Sequence, residues 1–461
     1  MSANGKASVR NENSHTSPKF TNNNNRHKMD PDELRKEEEK SYKEEPTNYF
    51  QAIVHLFKGN IGPGLFAMGF AFKHGGIAVS TPFTLLLALA CIHCQHLLVN
   101  CSIRMRAISG DEKYPDFAET VELCFANSPT KLRTWSKSVR IAVNVFICIT
   151  QLGFCCIYFV FISTNVKKIL LGYDIVMDVR ILMLICFIPI WLSILIRNLK
   201  YLAPVSAFAA LCMILGLGIT LYYAIKDGLP PISERRMYTS PRELAIYFGT
   251  AIFAFEGIAL VLPIKNCMKK TEDFDKPLGV LNVGMFVVTT MFTSAGFVGY
   301  TKWGEQVAAS LSLNLGKTWG GISVQVMVSL GVLFGYCLQF HIAIQIMLPS
   351  VTHAMSRFIH SPLLINLGFR TLMSIVTLSI ALLVPALGLF ISLIGALCST
   401  ALALVFPPVI DMLTQREGKY PHVISYIKNF LILVLAVLGF AVGSFESLYG
   451  IITHFGKDDL S

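Results

Sequence analysis

The side chains best suited to chemistry in this 461-residue chain are few, and they stand in apolar surroundings. His55 lies four residues before Gly59, which opens the run Gly59-Asn60-Ile61-Gly62-Pro63-Gly64. Residues four apart share a helix face, so the imidazole sits one turn from that run. Histidine changes charge near neutral pH more readily than other side chains, and an ionisable group in a membrane-length apolar stretch marks an ion or proton path by default. Glu256, within Phe253-Ala254-Phe255-Glu256-Gly257, is a carboxylate in an equally apolar setting. Both are candidate proton-coupling residues. For His55 the competing role is that of a neutral histidine hydrogen-bonded at a helix interface. Lys58 needs a partner at the same depth, and an ion pair with Glu256 would make that carboxylate structural instead. Gln151, Tyr158, Gln339 and His341 are further polar groups that either line a shared cavity or bond across helices.

The backbone around these groups carries its own chemistry. An apolar run from about Tyr49 to Phe72 has the length of a membrane-crossing helix, yet holds three glycines and a proline at its centre. Glycine costs roughly 1 kcal/mol and proline roughly 3 kcal/mol against alanine inside a helix, so the cluster predicts a break. The stretch Tyr247 to Ile258 is interrupted by glycine in the same way, with Pro263 beyond. Broken backbone at membrane depth is tolerated only in protein or beside a wet cavity, and paired interruptions in two halves of a chain point to a midplane binding site. Half-helix N-termini offer N–H groups to a carboxylate and half-helix C-termini offer carbonyls to an ammonium. A zwitterion needs both. The carboxylate is expected on N–H groups around Ile61 to Gly64 and the amine on carbonyls near Phe253 to Phe255. Gly59, Asn60, Ile61, Gly62, Gly64, Phe253, Phe255 and Tyr158 are therefore the candidate substrate-binding residues.

The elements that position this machinery are membrane helices. Apolar residues make up 53% of the chain and charged ones 15%, the balance of an all-α integral membrane protein. The spans, about eleven in number, are read at about 49–72, 77–100, 139–162, 180–196, 202–225, 243–264, 279–301, 322–348, 367–385, 387–410 and 430–452. The broken ones are the first and the sixth. Residues 1–48 read as a disordered tail, with an asparagine run at 22–25 and mixed charge from Asp30 to Glu45. With that tail in the cytosol, about 27 Lys/Arg fall inside and about 11 outside, the positive-inside bias. The formal charge of +10 is thereby explained by topology, without nucleic acid. Residues 49–453 form the transmembrane domain and 454–461 a short non-cytosolic C-terminus. No secretory signal precedes the first span, which is expected to serve as its own insertion signal. The twelve cysteines fall in apolar runs or inner segments, as buried reduced thiols do.

The segment from His55 to Gly64 resembles the first span of the proton-coupled amino acid transporters, in the amino acid/auxin permease group. The resemblance continues through Thr150 to Val160, Phe248 to Gly257, Leu338-Gln339-Phe340 and Ser399 to Leu404, and covers essentially residues 49–453. It implies a LeuT-type five-plus-five inverted repeat with broken helices 1 and 6. It also implies symport of protons with small neutral amino acids of the glycine, alanine and proline class, and links His55 to proton coupling. Members occur at the plasma membrane and on lysosomes, and some are discussed as nutrient sensors. Two departures stand out. Members often carry Thr or Ser where this chain has Pro63, which has neither hydroxyl nor N–H. Several relatives carry an extracellular disulfide, whereas the outer loops at about 163–179 and 302–321 contain no cysteine.

The expectation is alternating access, with protons as the coupling ion and no other cofactor, in the plasma membrane or a lysosomal or endosomal membrane with the N-terminus cytosolic. The alternative is an amino acid sensor that moves little substrate and signals through a cytosolic partner on the tail or the basic 101–138 segment. An enzyme is not expected: no zinc spacing, nucleophile elbow or P-loop lysine is present.

Overall fold

The computed structural model of the protein describes residues 46–110, 113–196, 199–359, 361–414 and 423–458. The expected tail therefore lies outside the described residues up to position 45, as do 459–461 at the other end.

The first half of the chain gives α1 (Tyr49–Asn60), α2 (Pro63–Gly75), α3 (Ile77–Ser109), α4 (Phe117–Ala126), α5 (Ser136–Leu171), α6 (Val179–Ile194) and α7 (Leu199–Ile225). The second half gives α8 (Pro241–Ala254), α9 (Ile258–Cys267), α10 (Val280–Trp303), α11 (Trp319–Met355), α12 (Pro362–Leu383), α13 (Leu387–Ile394), α14 (Phe406–Thr414) and α15 (Val423–Asp458). Nine stretches among the described residues are long and apolar enough to cross a membrane. Two expected spans fall short of that measure. The fourth, α6, has 16 residues, and the first is divided between α1 with 12 and α2 with 13.

Several helices outrun the expected spans. α3 reaches Ser109 rather than 100, and α5 covers 136–171 rather than 139–162. Hydropathy marks only the apolar part of a helix, and polar helix formers such as Arg104, Arg106 and Lys168 continue the winding beyond it. α3 ends where Gly110 adopts the left-handed conformation with φ 76°. α4 starts on a reciprocal cap between Asp116 and Glu119, and α8 on Ser240 followed by Pro241. The span expected at about 387–410 is not a plain α-helix. Between α13 and α14 the helix widens into π turns at Gly395–Ser399 and Ala401–Val405, in a segment read from sequence as an ordinary span. Such turns are frequent at functional sites.

The helices pack as two sets. α2 lies against α8 and α10, with α1 and α3 also on α10, while α11 packs along α5 and α7. The first set is braced at both ends. At one end Thr47 is clamped to the end of α9, donating its N–H to Cys267 O at 2.7 Å and accepting from Lys269 N at 3.0 Å. At the other, the 226–240 segment lies across Gly76, whose φ of 73° turns α2 into α3. Ile77 N–H reaches Arg236 O at 2.9 Å, and Arg236 grips Glu305 with both arms, at 2.8 and 2.6 Å. Arg236 also reaches Glu243 at 3.2 Å, so one guanidinium links α8 to the turn after α10. The hydrogen bonds it donates to Glu305 raise the pKa of Arg236 further.

Eleven of the twelve cysteines are buried free thiols, as expected; Cys267, at the end of α9, is exposed.

Candidate functional site

Both expected breaks are present. α1 stops at Asn60, Ile61 and Gly62 are extended, and α2 begins at Pro63, whose missing N–H costs nothing in a first turn. α8 stops at Ala254, and α9 restarts at Ile258 after Phe255, Glu256 and Gly257. The two breaks meet. A Cβ on Gly64 would lie 2.7 Å from Ala254 Cα, and one on Gly257 would lie 2.5 Å from Asn60 Oδ1. Each break thus holds a glycine where the other break's backbone or side chain passes, a reciprocity that suits a fold of two related halves.

The breaks leave backbone groups for a ligand. Among the described residues, the N–H groups of Gly62 and Gly64 have no backbone partner, nor do the carbonyls of Ala254 and Phe255. The first pair opens the N-terminus of α2, and the second closes the C-terminus of α8. Partial positive and partial negative charge therefore face the crossing from opposite sides.

A cavity of about 40 Å³ sits at the crossing. Gly59, Asn60, Ile61, Gly62 and Gly64 line it, with Phe253, Glu256 and Tyr158. Phe154 and Phe253 stand edge to face, with ring centroids 4.7 Å apart, and form one wall. Tyr158 is buried with its hydroxyl beside Gln339, and that hydroxyl would lie 3.6 Å from a Cβ on Gly62.

Glu256 is only 5% exposed, and neither of its carboxyl oxygens closes a hydrogen bond with a protein group. Ser399, in the first π turn, stands within interaction reach of it. The ion pair with Lys58 envisaged from sequence is therefore not formed, although Lys58 lines the same cavity. Asn60 is buried as well. Its amide donates to Leu56 O at 2.9 Å while its Oδ1 has no protein partner.

Two candidates stand elsewhere. His55 is half-buried one turn before Gly59, outside the cavity lining. Phe255 turns away and packs on Phe292 at 5.1 Å between centroids, leaving only its carbonyl at the break. Of the secondary candidates, Gln339 lines the cavity, whereas His341 Nδ1 accepts from Arg370 Nη2 at 3.1 Å on another face of α11.

A family model described as "Transmembrane amino acid transporter protein" matches residues 45–453. The chain belongs to that family. A Drosophila melanogaster protein named "Proton-coupled amino acid transporter-like protein pathetic" is 33% identical over 420 residues, covering 90% of this chain and 87% of the relative. A Caenorhabditis elegans protein, "Probable amino acid transporter skat-1", is 27% identical over 427 residues, covering 89% and 91%. A solved structure of MhsT in complex with L-phenylalanine overlays with TM-score 0.46 at 10% identity, covering 88% of this chain and all of that one.

In this amino acid transporter the cavity also has walls that sequence reading missed. Ser206, Ala209, Ala210 and Met213 come from α7, and Gly331, Val332 and Gly335 from α11. Only the spacing of small residues, Ser206 to Ala210 and Gly331 to Gly335, hinted at them. The same spacing ordinarily means close helix packing.

Proposed function

We propose that this transporter carries small neutral amino acids together with protons by alternating access, with its N-terminus in the cytosol. The observation that carries this reading is the crossing of the two breaks. It sets unpaired N–H groups of Gly62 and Gly64 and unpaired carbonyls of Ala254 and Phe255 around a cavity that contains a buried carboxyl group. The N–H groups are the complement of a carboxylate and the carbonyls the complement of an ammonium. The cavity's apolar wall of Phe154 and Phe253 disfavours a charged side chain.

Glu256 is the proton carrier in this reading, because it is the acid that touches the cavity. A carboxyl group without hydrogen-bond partners at this depth is stable as the neutral acid and becomes costly as an anion. Substrate filling the cavity excludes water from that carboxyl group and so favours its neutral form, which couples loading to proton uptake. His55 acts one turn away, through the position of α1. The name of the Drosophila relative, a proton-coupled amino acid transporter-like protein, supports proton coupling. One pH unit supplies about 1.4 kcal/mol per proton and 100 mV about 2.3 kcal/mol per charge, enough for uphill uptake.

The test is uptake of radiolabelled glycine, alanine and proline with simultaneous current. Acid-stimulated uptake with inward current supports the reading. Specific binding without flux, in protein shown to reach the membrane, removes it and leaves the sensor alternative.

A further inference from the structure

Away from the cavity, one buried face of α3 carries thiols and polar side chains, among which the Gln95 amide oxygen has no protein partner. Cys91, Cys94, Gln95, Leu98, Cys101 and Ser102 form a continuous buried stripe at helical spacing. At its upper end Cys91 is within electrostatic reach of Glu256, as is Cys398 of the first π turn. At its lower end Cys94 is within reach of Asp411 in α14, and Cys101 Sγ lies 3.6 Å from Thr414 Oγ1, one turn from that acid. Gln95, one turn below Cys91, is 1% exposed and its Oε1 has no partner. The Ser399 hydroxyl, the His93 Nε2 and the Asn429 Oδ1 are likewise buried and unpartnered.

Asp411 is a second buried acid, 1% exposed, in a span otherwise apolar. It accepts from Asn429 Nδ2 at 2.8 Å, and Arg104 Nη1 lies 3.6 Å away with its own side chain 45% exposed. Among the described residues, the charged and titratable groups around it include Arg104, His93 and Cys94 of α3, Cys124 of α4 and Lys428 of α15. Around Glu256 they are Cys91, Cys398 and, across the cavity, Lys58. Buried polar atoms of this kind are met by ordered water, each water taking two to four partners.

We propose that Ser399, Gln95 and Asp411 form a proton-release path, separate from the substrate's own exit. It leads from Glu256 along the α3–α14 interface to solvent beside Arg104. The inference rests on the proton-coupled reading above. The Glu256 carboxyl gives its proton to a water held by Ser399 and returns to the carboxylate. The proton passes along waters anchored by Gln95 and reaches the Asp411 carboxylate, which releases it at the end of the bundle carrying the 101–138 segment. Substrate leaves through the cavity, past α7 and α11, so the two cargoes part at the break of α8 and α9.

The test uses the full chain reconstituted in vesicles, with radiolabelled alanine uptake and an internal pH dye read together. In the wild type, protons and alanine enter together. Asp411→Asn keeps a partner for Asn429 but cannot take up a proton, and it lowers the ratio of proton flux to alanine flux roughly 10–100-fold while alanine exchange persists. Asp411→Glu restores the ratio, and Gln95→Leu shifts it in the same direction as Asp411→Asn. A ratio unchanged in Asp411→Asn shows that protons leave through the cavity and overturns the path while the proton-coupled reading stands. If Asp411→Asn does not fold, an unchanged ratio in Gln95→Leu overturns it equally. Alanine flux without any proton flux in the wild type overturns the reading and the path together.

Discussion

Gly64 lies directly on Ala254, so close that a Cβ at position 64 would stand 2.7 Å from the Ala254 Cα. The obstacle is backbone, which cannot rotate aside. The N-terminus of α2 and the C-terminus of α8 are thereby held together, and the ligand-facing groups of both breaks depend on that contact.

Gly64→Ala is expected to separate the two breaks. Overpacking of this kind costs about 1–3 kcal/mol, and the loss should appear both as lowered thermal stability in detergent and as lost uptake. Gly62→Ala is the contrast. Gly62 is extended at φ −148°, and the added methyl would meet only the Tyr158 hydroxyl at 3.6 Å. Its stability should match the wild type while the methyl, projecting into the cavity, weakens apparent affinity for the larger substrates first.

Glu256→Gln should be no less stable than the wild type, because it removes an ionisable group that lacks hydrogen-bond partners. Proton-driven accumulation should be lost, while exchange of labelled for unlabelled alanine persists. A marked fall in thermal stability would instead point to a structural role.

Much of this site is legible in the sequence because glycine and proline in an apolar run have few explanations. The density of breakers from Gly59 to Gly64 and the Gly257 interruption predict both breaks within a residue or two, and Glu256, Tyr158 and Gln339 are conspicuous polar groups in apolar stretches. The α7 wall is not legible, since Ser206, Ala209 and Ala210 carry the composition of any close-packed membrane helix. The direction of the Phe255 ring is not legible either. The residue sits one position past the end of α8, where a small change in backbone direction turns its ring to Phe292. The π turns at 395–405 escape as well, because hydropathy is the same for an α turn and a π turn.

Arg236→Ala should release the 226–240 segment from Glu305 and Glu243. The pairs are partly exposed, with Arg236 at 42% and Glu305 at 51%, so the expected loss of stability is about 1 kcal/mol or less and shrinks with added salt. The pKa of Arg236 is raised, so its contribution is fully present below the unfolded value and would be lost only as pH rises through the folded one. Thermal stability should therefore show no Arg236-dependent decline at mildly alkaline pH, which scans of wild type and variant against pH would check.

Deleting residues 1–45 separates a transporter from a sensor. Uptake and current per molecule at the membrane should remain near the wild-type level, since the brace at Thr47 is retained. Loss of a downstream growth signal with uptake intact would assign the tail a separate signalling role.

The central claim is that Glu256, within the crossing of two broken helices, couples amino acid movement to protons. The most direct measurement is alanine uptake with simultaneous current at about pH 5.5 and about pH 7.5, for the wild type, Glu256→Gln and His55→Ala. The account predicts acid-stimulated uptake with inward current in the wild type and neither in Glu256→Gln. Acid-stimulated current that survives in Glu256→Gln and disappears in His55→Ala would contradict it, placing the proton on α1 outside the cavity.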